Sequence, residues 1–451
     1  MSLNNLPVEW SIQKFEKIVF KIVGGGTPSK NNPEYYLGNI PWMSVKDMNK
    51  NILEDTVDHI TQEAIDNSAT NLIPKGTPII ATRMSLGKVV VANFDSAINQ
   101  DLKAIFLGDN IDKNFFVYWY RSQSKLIESL GTGTTVKGIR LEVINNLDFP
   151  LVPLAEQQEI VRQLDMMLAQ VEQIKARLDA IPAILKKFRQ SVLADAVSGE
   201  LINQDFSQLP VESFSDYLTD VRYGTSKKCS ESLIDAVPVL RIPNIADDGT
   251  LDFTNLKYAE FESKEIKQLQ LSKGDLLLIR SNGSLDLVGK SAIANELDRV
   301  VLYAGYLIRL RFNDSVNPQF IQYYLKAPQT RQIIENIARS TSGVNNINSK
   351  EIASLKIKLP CIDHQNEVVL RVKQLLELSK RIEETIQSAQ KRVNLLTQSI
   401  LAKAFSGELT IEWREQHQEL ITGINSAESL LAKIQKEREA SKPVKKAKKV
   451  K

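Results

Sequence analysis

The chain has 451 residues, 25% charged and 43% apolar, which describes a globular protein of two or three domains and excludes a disordered or fibrous one. Its net charge is +3, but Lys442, Lys445, Lys446, Lys448, Lys449 and Lys451 supply six positive charges, so only a local basic surface can argue for a polyanionic partner. No run reaches the length of a transmembrane helix, the opening MSLNNLPVEW lacks a leader pattern, and Cys229 and Cys361 make no disulfide framework, so a reducing cytoplasm is expected.

Taken in order, the chain begins with Leu6-Pro7-Val8-Glu9, which returns later as Leu209-Pro210-Val211-Glu212. Gly26-Thr27 has a counterpart in Gly224-Thr225, each opening a loop with Ser and Lys. Ile40 to Val45 lines up with Val237 to Ile242, a strand in each case, and Leu72 to Ala92 with Leu271 to Ala294. The latter pair carries a Lys-Gly turn, an apolar strand, a polar loop, a Gly-Lys pair and another strand, the grammar of a β-hairpin. Phe116 to Tyr120 and Phe320 to Tyr324 each predict a short helix with its aromatics on the sheet.

A long helix comes next. Steps of four and three from Ile160 land on Leu164, Met167, Val171, Ile174, Leu178, Ile181, Leu185, Phe188 and Val192, a seam for packing along a partner helix. Adding 208 gives Val368, Val372, Leu375, Ser379, Ile382, Ile386, Ala389, Val393, Leu396 and Ile400. Such a seam can also be a spacer or a dimerisation arm, but its duplication within one chain favours an intramolecular antiparallel pair. The helix ends repeat as Ser198-Gly199-Glu200-Leu201 and Ser406-Gly407-Glu408-Leu409, with glycine where a helix C-terminus favours a left-handed residue. Gln157 and Glu159 recur as Gln365 and Glu367 at the helix starts. Pro182 stands mid-seam where the second copy has Gln390, and a kink near Ala180 is expected.

The whole is a tandem duplication, about 6–208 and 209–411. The expected fold is mixed α+β: two α/β modules in a pseudo-repeat, separated by two long antiparallel coiled-coil helices. The boundaries read 1–150 and 202–358 for the modules, 151–201 and 359–410 for the helices. Residues 411–451 are expected to add a C-terminal helix and a disordered basic tail. The helix seam is assigned to Ile160, Leu164, Met167, Val171, Ile174 and Leu178 against Val368, Val372, Leu375, Ile382, Ile386 and Val393.

Catalytic signatures are missing. His59, His364 and His417 stand apart from any metal-ligand spacing. Gly283, Gly289, Lys290 and Ser291 have five residues between the glycines instead of the four of a phosphate loop, and they lie between strands. Asn32-Pro33-Glu34 and Asn317-Pro318-Gln319 do not make the Asn-Pro-Pro-aromatic motif of an adenine methyltransferase.

What the loops offer is chemistry for nucleic acid: arginine for guanine, Asn and Gln for adenine, and Ser, Thr and Lys for phosphates. In the first module the candidates are Thr27, Lys30, Ser44, Lys46, Thr82, Arg83, Ser85, Lys88, Thr134, Thr135 and Lys137. In the second they are Thr225, Ser226, Lys227, Lys228, Arg241, Asn244, Arg280, Ser281, Asn282, Ser284, Lys290, Asn345 and Asn346. The loop Gly131 to Gly138 and its partner, Ser340 to Asn346, are the best placed, being small and hydroxylated.

The LAEQQEIV start, the SVLADAVSGEL end, the LIRSNGSLDLVGKSAI hairpin and the YGTSKK loop resemble the type I restriction-modification specificity subunits, over residues 6 to about 420. The resemblance implies a non-catalytic subunit whose two target recognition domains each read half of a split asymmetric site in double-stranded DNA, with the helix pair setting the spacer. It also implies methyltransferase subunits, two in number, and restriction subunits that translocate DNA. Those partners would use S-adenosylmethionine, ATP and Mg, leaving this chain without a cofactor, and no membrane is involved. The other readings are a coiled-coil scaffold whose modules bind protein or carbohydrate, and a stand-alone enzyme, which the missing motifs disfavour.

Overall fold

The central strands of each module are apolar on both faces, and a sheet covered on both sides explains why. In the computed structural model, which describes residues 6–49, 52–231, 236–295, 297–339 and 343–440, strand Pro78–Ala81 is buried throughout. Ile80 enters the core that holds the aromatics of helix Lys113–Ser122, while Ile79 and Ala81 enter a second core with Met43 and Ile98. The second module repeats this, with Leu276 and Leu278 on the helix side and Leu277 and Ile279 opposite. Phe116, Trp119 and Tyr120 pack beneath the sheet as the spacing predicts, and Phe320 does the same from helix Pro318–Lys326.

The sheets share one topology. In the first module the order is Val19–Gly24, Leu102–Leu107, Pro78–Ala81, Val89–Ala92, Ile52–Leu53; in the second it is Leu218–Tyr223, Leu307–Phe312, Leu276–Ile279, Ser291–Ile293. A smaller sheet pairs Ile40–Met43 parallel to Ser96–Ile98, as Val237–Leu240 pairs with Leu302–Tyr303. The register corrects one sequence alignment. Gly26 N donates to the Ile98 carbonyl and Thr225 N to the Tyr303 carbonyl, so Gly25, not Gly26, matches Gly224. Both glycines are required there, because a Cβ would lie 1.8 Å from Ile98 O or 2.1 Å from Tyr303 O.

The long helices span Leu154–Ser198 and Ile362–Ser406, 45 residues each. Gly199 and Gly407 come directly after them at φ +92° and +83°, the left-handed ending anticipated. Pro182 lies inside the first helix, which continues through it without a break. It sits on an exposed face, where the carbonyl of Leu178 that loses its donor can be solvated.

The chain forms two compact units that do not follow chain order: Met1–Arg177 with Ala389–Lys451, and Leu178–Ser388. Each holds a half of either long helix. In the first unit Ile160, Leu164, Leu401 and Phe405 share a core; in the second, Val192, Ala196, Val368 and Val372 do. The two assigned sets of stops do not share one core, and their burial is uneven. Ile160, Leu164, Val171, Val368, Val372 and Ile386 are buried, and Leu178, Leu375 and Val393 half-buried, whereas Met167, Ile174 and Ile382 are exposed. A period of 3.5 on a helix of 3.6 residues per turn drifts by about 20° per heptad, which carries some stops out of contact. At the small stop Ser379, fully buried, Oγ accepts from Arg189 Nε at 2.9 Å, and Arg189 Nη2 reaches Glu383 at 2.5 Å.

The repeated glutamines lock the helix starts. Gln157 Oε1 accepts from Asp112 N at 2.8 Å and its amide donates to the Val152 carbonyl at 2.8 Å. Gln365 accepts from Asn317 N at 2.7 Å and donates to the Pro360 carbonyl at 2.8 Å. Asp112 and Asn317 cap the short aromatic helices, so one buried amide ties each long helix to its module. After the second long helix, Ile411–Gln416 and Ala427–Ala440 are helical, and Leu430 and Ile434 join the first unit's core. The basic tail from Lys442 onward lies outside the described residues.

Candidate nucleic-acid interface

Each module opens a cleft at the same place in its topology, between the glycine loop, the turn after the parallel strand and the start of the hairpin loop. The first, about 760 Å³, is lined by Thr27, Lys30, Tyr36, Trp42, Ser44, Lys46, Asp58, Met84, Asn99 and Gln100, together with Pro33 and Val45. The second, about 730 Å³, is lined by Tyr223 to Lys227, Cys229, Arg241, Ile242, Pro243, Lys257, Arg280 and Ala304 to Tyr306. The matched register makes the comparison direct. Asp58 pairs opposite Trp42 as Lys257 pairs opposite Val239, so a carboxylate in one cleft is replaced by an ammonium in the other. Asp58 binds Lys46 Nζ at 3.0 Å, while Lys257 Nζ binds Glu231 at 2.7 Å. The bond to Asp58 raises the Lys46 ammonium above its ordinary range, and burial, then Asp58, pushes the Tyr36 hydroxyl up. Burial likewise raises the Cys229 thiol.

The second cleft is built around Arg280. Its guanidinium lies 4.6 Å over the Tyr223 ring, and Nε and Nη2 donate to Asn346 Oδ1 at 3.2 and 3.1 Å. Tyr223 is itself anchored, its hydroxyl accepting from Ser349 N at 2.8 Å. The acids near Arg280 in sequence are engaged elsewhere: Asp275 by Arg311, at 2.7 Å to both oxygens, and Asp286 by Ser284. A planar cation held by stacking and by a neutral amide keeps its charge available for a base edge or a phosphate. Arg280→Ala is expected to weaken binding of specific duplex by about 1–3 kcal/mol if the contact is bidentate. Equal losses for specific and random duplex in a titration would rule base reading out.

Several candidates serve the backbone or lie away from the clefts, although Ser44 also lines the first cleft. Ser44, Thr82 and Asn244 are buried. Ser44 Oγ accepts from Lys46 N at 3.3 Å, Thr82 Oγ1 donates to the Asp101 carbonyl at 2.9 Å, and Asn244 joins Arg241 N to the Asp252 carbonyl, both at 2.8 Å. These polar residues satisfy backbone groups at the turns, which hold the loops rather than present them. Lys88 lies at a separate hollow with Arg121, Asp165 and Thr397. Lys290 is tied to Asp247, away from the Arg280 cleft.

Others are exposed near the clefts. Arg83 bridges Gly138, and Thr132 bridges Gly138, so the loop Gly131 to Gly138 folds against the hairpin with Thr134, Thr135 and Lys137 exposed. Its counterpart pairs Ser281 with Asn346 and Asn282 with Asn345; Ser340 to Ser342 lie outside the described residues. Ser85 is half-buried beside them, and Ser284, with its hydroxyl on Asp286, is exposed on the loop, as are Ser226 and Lys228 by the glycine loop. Lys227 is exposed there too, bonded to Glu265 at 2.7 Å, and Thr225 is half-buried. Sequence reading missed Tyr36, Trp42, Asp58, Met84, Asn99 and Gln100, and Tyr223, Cys229, Lys257 and Tyr306. Their signal was faint: Asn99-Gln100 and Ala304-Gly305-Tyr306 each come just after a short apolar strand.

The family profile described as "Type I restriction modification DNA specificity domain" matches residues 7–183 and 226–389. The EcoKI specificity subunit of Escherichia coli (strain K12) is 40% identical over 322 residues, covering 70% of this chain and 69% of that one. The StySPI specificity subunit of Salmonella potsdam is 36% identical over 73% of both chains. In fold the chain is similar to the HsdS subunit of Thermoanaerobacter tengcongensis, with TM-score 0.60, 17% identity, and 89% of this chain and 98% of that one covered. The chain belongs to the type I restriction-modification DNA specificity family and carries two of its specificity domains in tandem.

Proposed function

We propose that the chain is the sequence-reading subunit of a type I restriction-modification complex and performs no chemistry itself. Each module reads one half of a split asymmetric site in double-stranded DNA, and the helix pair sets the unread spacer and docks the methyltransferase subunits, two per chain. Adenine methylation with S-adenosylmethionine, and cleavage coupled to ATP, Mg and translocation, belong to partner subunits in the cytoplasm. No helix among the described residues is long and apolar enough to cross a membrane. One observation carries the reading: two clefts of nearly equal size occupy the same topological place, yet offer different groups, Asp58 and Gln100 in one, Lys257, Arg241 and Arg280 in the other. Family membership favours DNA over a protein or carbohydrate ligand.

The test is an exchange. With residues 210–340 replaced by the equivalent segment of another family member, methylation mapping in cells carrying the complex should show one half-site changed and the other retained. Both half-sites changing together would refute two independent readers.

A further inference from the structure

Among the described residues, two that are not glycine hold a positive φ: Asn203 at +54° and Met84 at +62°. Asparagine visits that region readily because its short polar side chain bonds locally; methionine has no such help, and its backbone must be held there by its surroundings. They do hold it. Met84 N donates to the Lys137 carbonyl at 3.0 Å, and the neighbouring Arg83 is bridged to Gly138. The strain brings no burial. The Met84 side chain is 59% exposed, on the rim of the first cleft. A large apolar side chain raised into water from a braced, strained turn gains its contacts only in a complex. Exposed Lys137 stands beside it, with exposed Arg83, whose guanidinium also reaches buried Asp101 at 3.4 Å, so the face that carries it offers two cations against one carboxylate to a polyanion. The matched position in the second module is Asn282, half-buried and paired in register with Asn345, so the feature belongs to one module alone.

We infer that Met84 is a wedge: on binding, its side chain enters between two adjacent base pairs of the first half-site and unstacks that step, while Arg83 and Lys137 hold the flanking phosphates. Apolar side chains, methionine among them, open base steps in this way and kink the duplex. An unbranched, polarizable thioether adapts to the irregular gap that results. The inference rests on the DNA reading above and names the residue that deforms the site.

The experiment uses the full chain assembled with its methyltransferase subunits, and duplexes carrying both half-sites with 2-aminopurine placed in turn at each position. Wild type should brighten at one step of the first half-site, apart from the methylated adenine. Met84→Gly, which removes the side chain and relieves the backbone, should keep or raise the melting temperature, abolish that signal and weaken specific binding roughly tenfold or more. Met84→Leu should retain most of the signal. Sequence-specific binding by wild type without any unstacked step outside the methylated adenines, or a signal that survives in Met84→Gly, would overturn the wedge and leave the reading intact. A wild type that binds all duplexes alike would refute the reading itself.

Discussion

Arg414→Ala should destabilise the unit containing the first module by about 3–5 kcal/mol. Glu156, at the start of the first long helix, is fully buried, and three donors meet its carboxylate: Trp10 Nε1 at 2.8 Å, Thr410 Oγ1 at 2.6 Å and Arg414 Nη1 at 2.6 Å. Arg414 is 8% exposed, also donates to the Gly407 carbonyl at 2.6 Å, and lies 5.7 Å over the Trp10 ring. The cluster gathers the N-terminal stretch, the first helix and the segment after the second helix into one unit. Removing the arginine leaves a fully buried carboxylate without its charge partner, which is the costly half of breaking a buried pair. Replacing both partners, as Glu156→Gln with Arg414→Met, should recover much of the loss. At the matched position of the second copy stands His364, half-buried, with its ring 6.3 Å from that of Phe206. Urea titration with a probe in each module measures it; a loss below about 1 kcal/mol would place the pair among ordinary surface bridges.

Adding one turn to both long helices should lengthen the spacer without altering either half-site. Four residues inserted after Leu178, with four after Ile386, add about 6 Å and rotate the remainder of each helix by only about 40°, so the buried stops on either side keep their face. At about 3.4 Å per base pair the spacer should grow by one or two pairs. Two residues at the same places rotate the helix by roughly 200°, turning Val192 and Val368 to water and charge inward. That variant should lose folding and activity. Methylation mapping reads the spacer directly, and a folded four-residue variant with its spacer unchanged would reduce the helices to assembly surfaces.

The duplication, the two helices at an offset of 208, their glycine endings and the hairpins between Lys-Gly and Gly-Lys were all legible in the sequence. Each is written in local periodicity or in a residue whose backbone preference acts where it stands, so no distant partner is needed to read it. The repeated Gln157 and Gln365 were visible as a repeat, but their bonds to Asp112 and Asn317 lie 45 and 48 residues away. Tertiary structure alone decided which polar loop residues are exposed. Ser44, Thr82 and Asn244 have the composition of an interface and are buried in turns, because backbone amides and carbonyls there must be paired. Arg280 is aimed by Tyr223 and Asn346, from opposite ends of the module, and its sequence neighbours Asp275 and Asp286 are taken by other groups. The strain at Met84 depends on the Lys137 carbonyl, 53 residues on, so no local pattern could announce it. A side chain's type is set by the sequence; whether it is used inward for the backbone or outward for a partner depends on what the fold brings beside it.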